Sequence, residues 1–233
     1  MTRSDYIDSV LKTYGILTIL SQKNGVTILR LRHKTLKREL VLHSIPEECI
    51  AYEALVPIRC DNLPEIYDVI GLEDGTVVLE EYVEGQTLAD LLTEEKPSPK
   101  AVRTIMQGLC HALDVLHGLG FVHRDVKPEN VIIKKDGTAV LIDFGITRKI
   151  LPEGKDTRVM GTVGYAAPEQ LGLAQSDVRT DLYALGVLYN VLLTGCHPSR
   201  RIASGRAGRI IRKCTSVNPD DRYASARKLS EIL

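Results

Sequence analysis

His123-Arg124-Asp125-Val126-Lys127-Pro128-Glu129-Asn130 is the stretch on which the fold of this chain turns. It follows a long amphipathic pattern over 99–118, where Ile105, Leu109, Ala112, Leu113 and Leu116 recur on one side at helical spacing. It precedes two short apolar runs, 130–134 and 139–143, joined by a Lys-Asp-Gly-Thr turn. A polar stretch in that place is a loop gripped by rigid elements. Asp125 on such a loop can orient a hydroxyl and take its proton late in phosphoryl transfer. Lys127 can balance charge on the moving phosphoryl, and Asn130 can offer an amide oxygen to Mg²⁺. Asp143-Phe144-Gly145 comes directly after the apolar run that ends at Ile142. Asp143 can bridge Mg²⁺ to phosphate oxygens, because a hard cation needs oxygen ligands.

Working outward, the first third of the chain reads as strands and the rest as helices. Residues 5–12 suggest a short leading helix. Alternating apolar patterns at 14–20, 26–32 and 39–45 predict strands, with turns between them, and 66–70 and 76–83 predict a hairpin. A helix is expected over 47–58, with Pro46 in its first turn and Pro57 ending it. After Gly85 the period changes. Helices are predicted from Thr87, a cap candidate, and at 99–118, 168–174, 178–193, 203–214 and 222–233. The expected fold class is α+β: a small antiparallel sheet lobe with one main helix (1–83), a hinge at 81–86 and a mostly helical lobe (87–233), forming one domain over 1–233.

Composition bounds the partners. The chain has 233 residues, with 30 Lys plus Arg against 30 Asp plus Glu. That balance gives no general nucleic-acid coating and no electrostatic membrane anchor, so neither is expected as a partner. Five cysteines without a CxxC pair read as reduced thiols. No signal peptide is visible, and the most apolar helix, near 184–193, is too short to span a bilayer. A cytoplasmic location is the default expectation.

The motifs HRDVKPEN (123–130), DFG (143–145), GTVGYAAPE (161–169) and DLYALG (181–186) occur together and in order. Together they resemble the eukaryotic-type Ser/Thr protein kinase family, over roughly residues 14–233. The resemblance implies a two-lobed kinase fold, ATP and Mg²⁺ as cofactors, and a protein substrate with a Ser or Thr acceptor. It makes Asp125, Lys127, Asn130 and Asp143 catalytic, with Asn130 and Asp143 the metal ligands. His123 and Phe144 would stack in an internal spine, Asp181 would tie down the backbone around Arg124, and Glu169 would pair with Arg222. Thr162 matches the activation-loop threonine that contacts the catalytic Asp and Lys. Thr157 is a candidate phosphosite facing Arg124, the alternative being an unmodified solvated loop.

The first third departs from the family pattern. Ser21, Lys23 and Val26 stand where the family places the glycines that let backbone approach phosphate, and Gly25 is the one glycine in the turn. His43 stands in place of the strand lysine, while its usual partner is present as Glu53. Lys23 or Arg30 can supply charge from another direction, or be solvated surface. Adenine is expected against the backbone of Glu81 and Val83, beside Tyr82, with Ile132 under the ring. Glu80 falls at a position usually apolar. Either it faces inward and pairs with His43 or an arginine, or the register slips and it faces solvent. The connection near 197–203 is too short for the docking helix that the family carries there. Two main readings follow: an active but atypical Ser/Thr kinase, or a pseudokinase that senses nucleotide or binds protein. A phosphotransferase for small molecules is a distant third, disfavoured by the peptide-shaping GTVGYAAPE segment.

Overall fold

The structure, a computed structural model, describes residues 1–150, 161–171 and 175–233. The chain divides into two compact units. One is Met1–Cys60 with Pro64–Val83, and the other is Asp61–Leu63 with Glu84–Leu233. No helix among the described residues is long and apolar enough to cross a membrane.

The first unit opens with α1 (Arg3–Thr13), started by a capping box in which the Thr2 and Asp5 side chains each bond the other's backbone amide. Strands β1 (Tyr14–Lys23), β2 (Val26–His33), β3 (Glu39–Ile45), β4 (Ile66–Leu72) and β5 (Gly75–Glu81) form an antiparallel sheet in the order β1-β2-β3-β5-β4. Asn24 and Gly25, both at positive φ, make the tight β1–β2 turn. Alternation along the strands directs Leu29, Leu31, Leu40, Leu42 and Val77 to one face, where Tyr6, Ile7, Val10 and Leu11 of α1 pack on them. Helix α2 spans only Ile50–Leu55, shorter than the expected 47–58. The Glu47 carbonyl is held outside it by the Thr76 hydroxyl at 2.9 Å, and Pro57 blocks extension at the far end.

The second unit begins its regular structure with β6 (Gln86–Thr87) and α3 (Leu88–Glu94), whose Thr87 cap accepts the Asp90 amide. Helix α4 (Pro99–Gly118) buries the predicted stripe, including Ile105, Leu109, Ala112, Leu113 and Leu116. Then come β7 (Phe121–Val122), β8 (Val131–Ile133), β9 (Ala139–Leu141) and β10 (Arg148–Lys149). β8 lies between β6 and β9, and β10 pairs with β7. Helix α5 (Val178–Thr194) is largely buried, starts in an Asp177/Thr180 capping box and ends at Gly195 with φ 68°. Helices α6 (Gly205–Cys214) and α7 (Ala226–Ser230) complete the unit.

Two further helix expectations need correction. The described part of 168–174 is a 3₁₀ turn, Pro168–Leu171. The last predicted helix begins at Ala226 rather than 222, because Arg222 adopts extended backbone and Ser225 supplies the cap. The connection after α5 is reduced to a turn, with the Arg200 amide bonded to the His197 carbonyl at 3.0 Å. It is pinned by Asn190, fully buried on α5. The Asn190 amide donates to the Cys196 and Arg201 carbonyls, both at 2.8 Å, and its oxygen accepts the Ala203 amide at 2.9 Å. Gly208 of α6 lets the strap pass, since a Cβ there would overlap the Ala203 carbonyl oxygen.

Replacing Asn190 with Ala strands these buried backbone groups. The expected outcome is a loss of about 2–4 kcal/mol in urea unfolding, seen as a lower midpoint with the same slope.

Candidate active site

The candidate site lies within the second unit and is organised from α5. Asp181, fully buried, accepts the backbone amides of His123 at 2.9 Å and Arg124 at 2.8 Å, and faces His117 Nε2 at 2.8 Å. Burial alone would raise its carboxyl, but the His117 hydrogen bond, the neighbouring imidazoles and the Arg124 amide hold it below the ordinary carboxylate value. Held this way, Arg124 takes φ +69°, a left-handed conformation uncommon for a side chain of its size. Its carbonyl accepts the Gln170 side-chain Nε2 at 2.9 Å, and its Nε donates to the Ile146 carbonyl at 2.9 Å. Gly161 completes the corner. At φ +113°, a Cβ there would press on Gln170 and Ala166.

The backbone so fixed presents a closed polar network. Lys127 Nζ donates to Asp125 Oδ2 at 2.6 Å and to Thr162 Oγ1 at 2.8 Å, and Thr162 Oγ1 donates to Asp125 Oδ1 at 2.6 Å. Asn130 Nδ2 donates to the Asp125 carbonyl at 2.9 Å and to Asp125 Oδ2 at 3.0 Å. The four residues thus converge on one carboxylate. The two amide hydrogens of Asn130 are committed, so its amide oxygen remains the available ligand atom.

Asp143 follows β9 with φ +68°, and its Oδ1 accepts the Gly145 amide at 3.1 Å. The Ile142 amide bonds the Asn130 carbonyl at 2.9 Å, which ties the segment carrying Asp143 to the one carrying Asn130. His123 and Phe144 rings meet edge to face, 5.4 Å between centroids. Burial pushes the His123 imidazole down, favouring its neutral form. No group of three His, Cys, Asp or Glu placed to hold a metal ion by itself occurs among the described residues. The Asp143 carboxylate and the Asn130 amide oxygen are hard oxygen donors, the ligand type that suits Mg²⁺.

Glu169 and Arg222 meet in a buried bidentate pair, at 2.6 and 2.9 Å. The Thr180 hydroxyl also donates to Glu169 at 2.9 Å, linking the pair to the first turn of α5.

In the first unit the structure decides the Glu80 question. Glu80 faces inward, 4% exposed, and its Oε1 lies 2.8 Å from His43 Nε2, also 4% exposed. The register pairs Val41 with Glu80 and His43 with Val78, so the two side chains are diagonal neighbours on one face of β3 and β5. The carboxylate that meets His43 is therefore Glu80 rather than Glu53, which is exposed on the short α2. Tyr52 of α2 lies against His43 instead, 5.6 Å between centroids. Arg30 is engaged by Glu39 at 2.6 Å, and its guanidinium covers the Tyr82 ring at 3.9 Å. Lys23, at the end of β1, is exposed. Val83 is buried, Glu81 is half-buried with its carboxylate 3.3 Å from the Glu65 amide, and Ile132 sits half-buried on β8. Thr157 lies outside the described residues.

Three participants went unread in the sequence: His117, Gln170 and Asn62. The Asn62 carbonyl accepts the Leu141 amide at 2.9 Å, and its side chain reaches the Ala139 carbonyl at 2.8 Å. Gly108 leaves it room. His117 and Gln170 are flanked by the motifs and could have been suspected; Asn62 carries no local signal.

A family model described as "Protein kinase domain" matches residues 22–232. Among curated proteins, the chain is 36% identical over 202 residues to serine/threonine-protein kinase PknL of Mycobacterium tuberculosis, covering 75% of this chain and 51% of that protein. It is 32% identical over 180 residues to serine/threonine-protein kinase PknB of Mycolicibacterium smegmatis, covering 65% and 29%. It is 39% identical over 133 residues to serine/threonine-protein kinase pkn2 of Myxococcus xanthus, covering 54% and 16%. The chain thus spans about half the length of PknL and less of the other two.

Two outcomes follow from the geometry. Arg222→Met leaves the Glu169 charge buried alone and should cost about 3–5 kcal/mol, whereas Glu169→Leu with Arg222→Met should recover part of it in thermal or urea unfolding. The Asp181 carboxyl has a lower pKa folded than unfolded. Its contribution is complete above the ordinary value of 3.8 and is lost as pH falls through the folded value. The stability gap between wild type and Asp181→Asn should accordingly be widest near neutrality and narrow in acid, as read from unfolding midpoints across pH.

Proposed function

The chain belongs to the protein kinase domain family, and from that premise we propose that it is an atypical Ser/Thr protein kinase that transfers the γ-phosphoryl of ATP to a protein hydroxyl. The single observation that carries this reading is the closed network on Asp125. A carboxylate has about four lone-pair positions. Thr162 takes one on Oδ1, while Lys127 and Asn130 take both on Oδ2. One position on Oδ1 is left, and an acceptor hydroxyl donating there would be oriented for attack, with its proton passing to that oxygen. Lys127, already 2.8 Å from the Thr162 hydroxyl, brings a fixed positive charge beside the acceptor. Fold stability does not require this arrangement, since an ammonium and a carboxylate whose side chains are only 19% and 13% exposed gain little beyond repaying their desolvation. Mg²⁺, when bound, would offset phosphate charge, and Asn130 and Asp143 are the residues that would hold it.

A second reading, a pseudokinase that binds nucleotide or protein without transfer, draws on the first unit. His43 is engaged by a buried carboxylate, so its pull on phosphate is weaker than that of a lysine free to reach outward. The β1–β2 turn carries side chains where the family has glycine.

The deciding experiment is nucleotide affinity with and without Mg²⁺, alongside labelled-phosphate transfer to itself and to a generic protein acceptor. Asp125→Asn should cut transfer about 10²–10⁴-fold with nucleotide binding kept. Asp143→Asn should remove the Mg²⁺-dependent part of binding, and His43→Ala should weaken binding less than Asp143→Asn does. Binding that ignores Mg²⁺, with no transfer by wild type, would favour the pseudokinase reading.

A further inference from the structure

Residues 197–213 contain Arg200, Arg201, Arg206, Arg209, Arg212 and Lys213 and not one Asp or Glu, in a chain whose 30 Lys and Arg equal its 30 Asp and Glu overall. All six are exposed. Arg206, Arg209 and Lys213 recur at helical spacing on α6, so they share one face. The bonds these cations make are to neutral groups: Arg201 to the Thr194 carbonyl at 2.6 Å, Arg206 to the Ile232 carbonyl at 2.9 Å, and Lys213 over the Tyr223 ring at 4.7 Å. None of the six has a carboxylate partner among the described residues. Crowding like charges without compensation works against the fold, and it makes a field that attracts anions.

Beside this face lies a depression of about 430 Å³, within the size range of binding pockets. Leu193, Ile202, Ala203 and Ala207 give it apolar surface, and Arg201 and Ser204 stand in its lining. Ser204 caps α6 without a side-chain bond to the helix, so the first-turn amides of a ten-residue helix add to the positive field there.

We propose that this face of the second unit is a docking site for an acidic protein segment, one that seats an apolar side chain in the depression and lays flanking carboxylates along the α6 arginines. Charge complementarity selects the acidic partner. The recessed position of the apolar surface selects a peptide over a bilayer. Insertion into lipid needs protruding apolar side chains, and the exposed large hydrophobic residues lie elsewhere, apart from Val217 beyond α6. Single-stranded nucleic acid would want open aromatic faces, whereas Tyr223 is covered by Lys213. The proposal is independent of whether Asp125 performs transfer, since it concerns binding alone.

The test is fluorescence anisotropy on the full chain with labelled Glu-Glu-Asp-Leu-Phe-Glu-Glu-Asp, compared with the same peptide carrying Gly-Gly for Leu-Phe. Phosphatidylserine vesicles and single-stranded DNA serve as rival anions. The Leu-Phe peptide should bind saturably, weaken steeply with added salt and lose about tenfold in Kd with the Gly-Gly exchange. Arg206→Glu with Arg209→Glu should weaken it at least about tenfold without lowering the unfolding temperature. Ala207→Tyr, which fills the depression, should weaken the Leu-Phe peptide and spare the Gly-Gly one. If Ala207→Tyr does not fold, the arginine pair and the peptide exchange decide. No binding by either peptide, equal binding by both, or equal or tighter binding to vesicles or DNA overturns the proposal.

Discussion

The Asp181 carboxylate sets the geometry on which the second unit's chemistry rests. It is fully buried, yet it satisfies two consecutive backbone amides at 123 and 124 and one imidazole. Removing a charge from water costs several kcal/mol unless the charge is well bonded. The three donors are what make the burial tolerable. In return the chain is forced through a left-handed corner at Arg124, a conformation that costs on the order of 1–2 kcal/mol for a residue with a Cβ. That corner turns the Arg124 carbonyl toward Gln170 and delivers Asp125 to Lys127, Asn130 and Thr162. Segments near 125, 162, 170 and 181 are therefore parts of one hydrogen-bonded body.

The second unit was largely legible because its signals are dense and local. A helix with its apolar residues on one side, a short polar loop and two clipped strands can be arranged in few ways. The Glu169–Arg222 meeting was legible only through family resemblance, since 53 positions separate the partners. Helix ends were less clear. Glu47 and Arg222 each look compatible with a helix, but tertiary bonds to Thr76 and Glu169 hold them outside one. Asn62 illustrates the limit. A polar residue in an irregular stretch bonds to β9 of the second unit although the chain on either side of Asp61–Leu63 belongs to the first. That role depends on Gly108 leaving space, and nothing in the local pattern encodes it.

In the first unit the buried His43 finds its partner inside the sheet. A lysine has the reach to meet a glutamate on a neighbouring helix; an imidazole does not, and α2 here is only six residues long. The buried polar demand of His43 is met within the sheet by Glu80, one strand over. The pair lies among fully packed strands, and Glu80 Oε2 is buried without a hydrogen bond among the described residues. An orphaned oxygen of this kind carries a desolvation penalty of about 1–3 kcal/mol. Arg30, a second basic side chain of the same unit, is spent on Glu39 and the Tyr82 face. The unit's charge is therefore organised around internal pairs, with Lys23 left at the exposed turn.

The strap between α5 and α6 has a consequence for motion. It contains no regular structure beyond a turn, and by that criterion its amides should trade protons with solvent freely. Yet its Cys196 and Arg201 carbonyls and the Ala203 amide are anchored to a fully buried side chain near the end of the most deeply buried helix, and α6 closes over it where Gly208 gives way. Opening the strap means pulling Asn190 out of the core. The segment consequently belongs to the same cooperative unit as α5, and the Ala203 amide should retain deuterium on the timescale of helix-core amides rather than of surface loops. A connection that looks like a surface loop in outline thus behaves, in hydrogen exchange, as part of the interior.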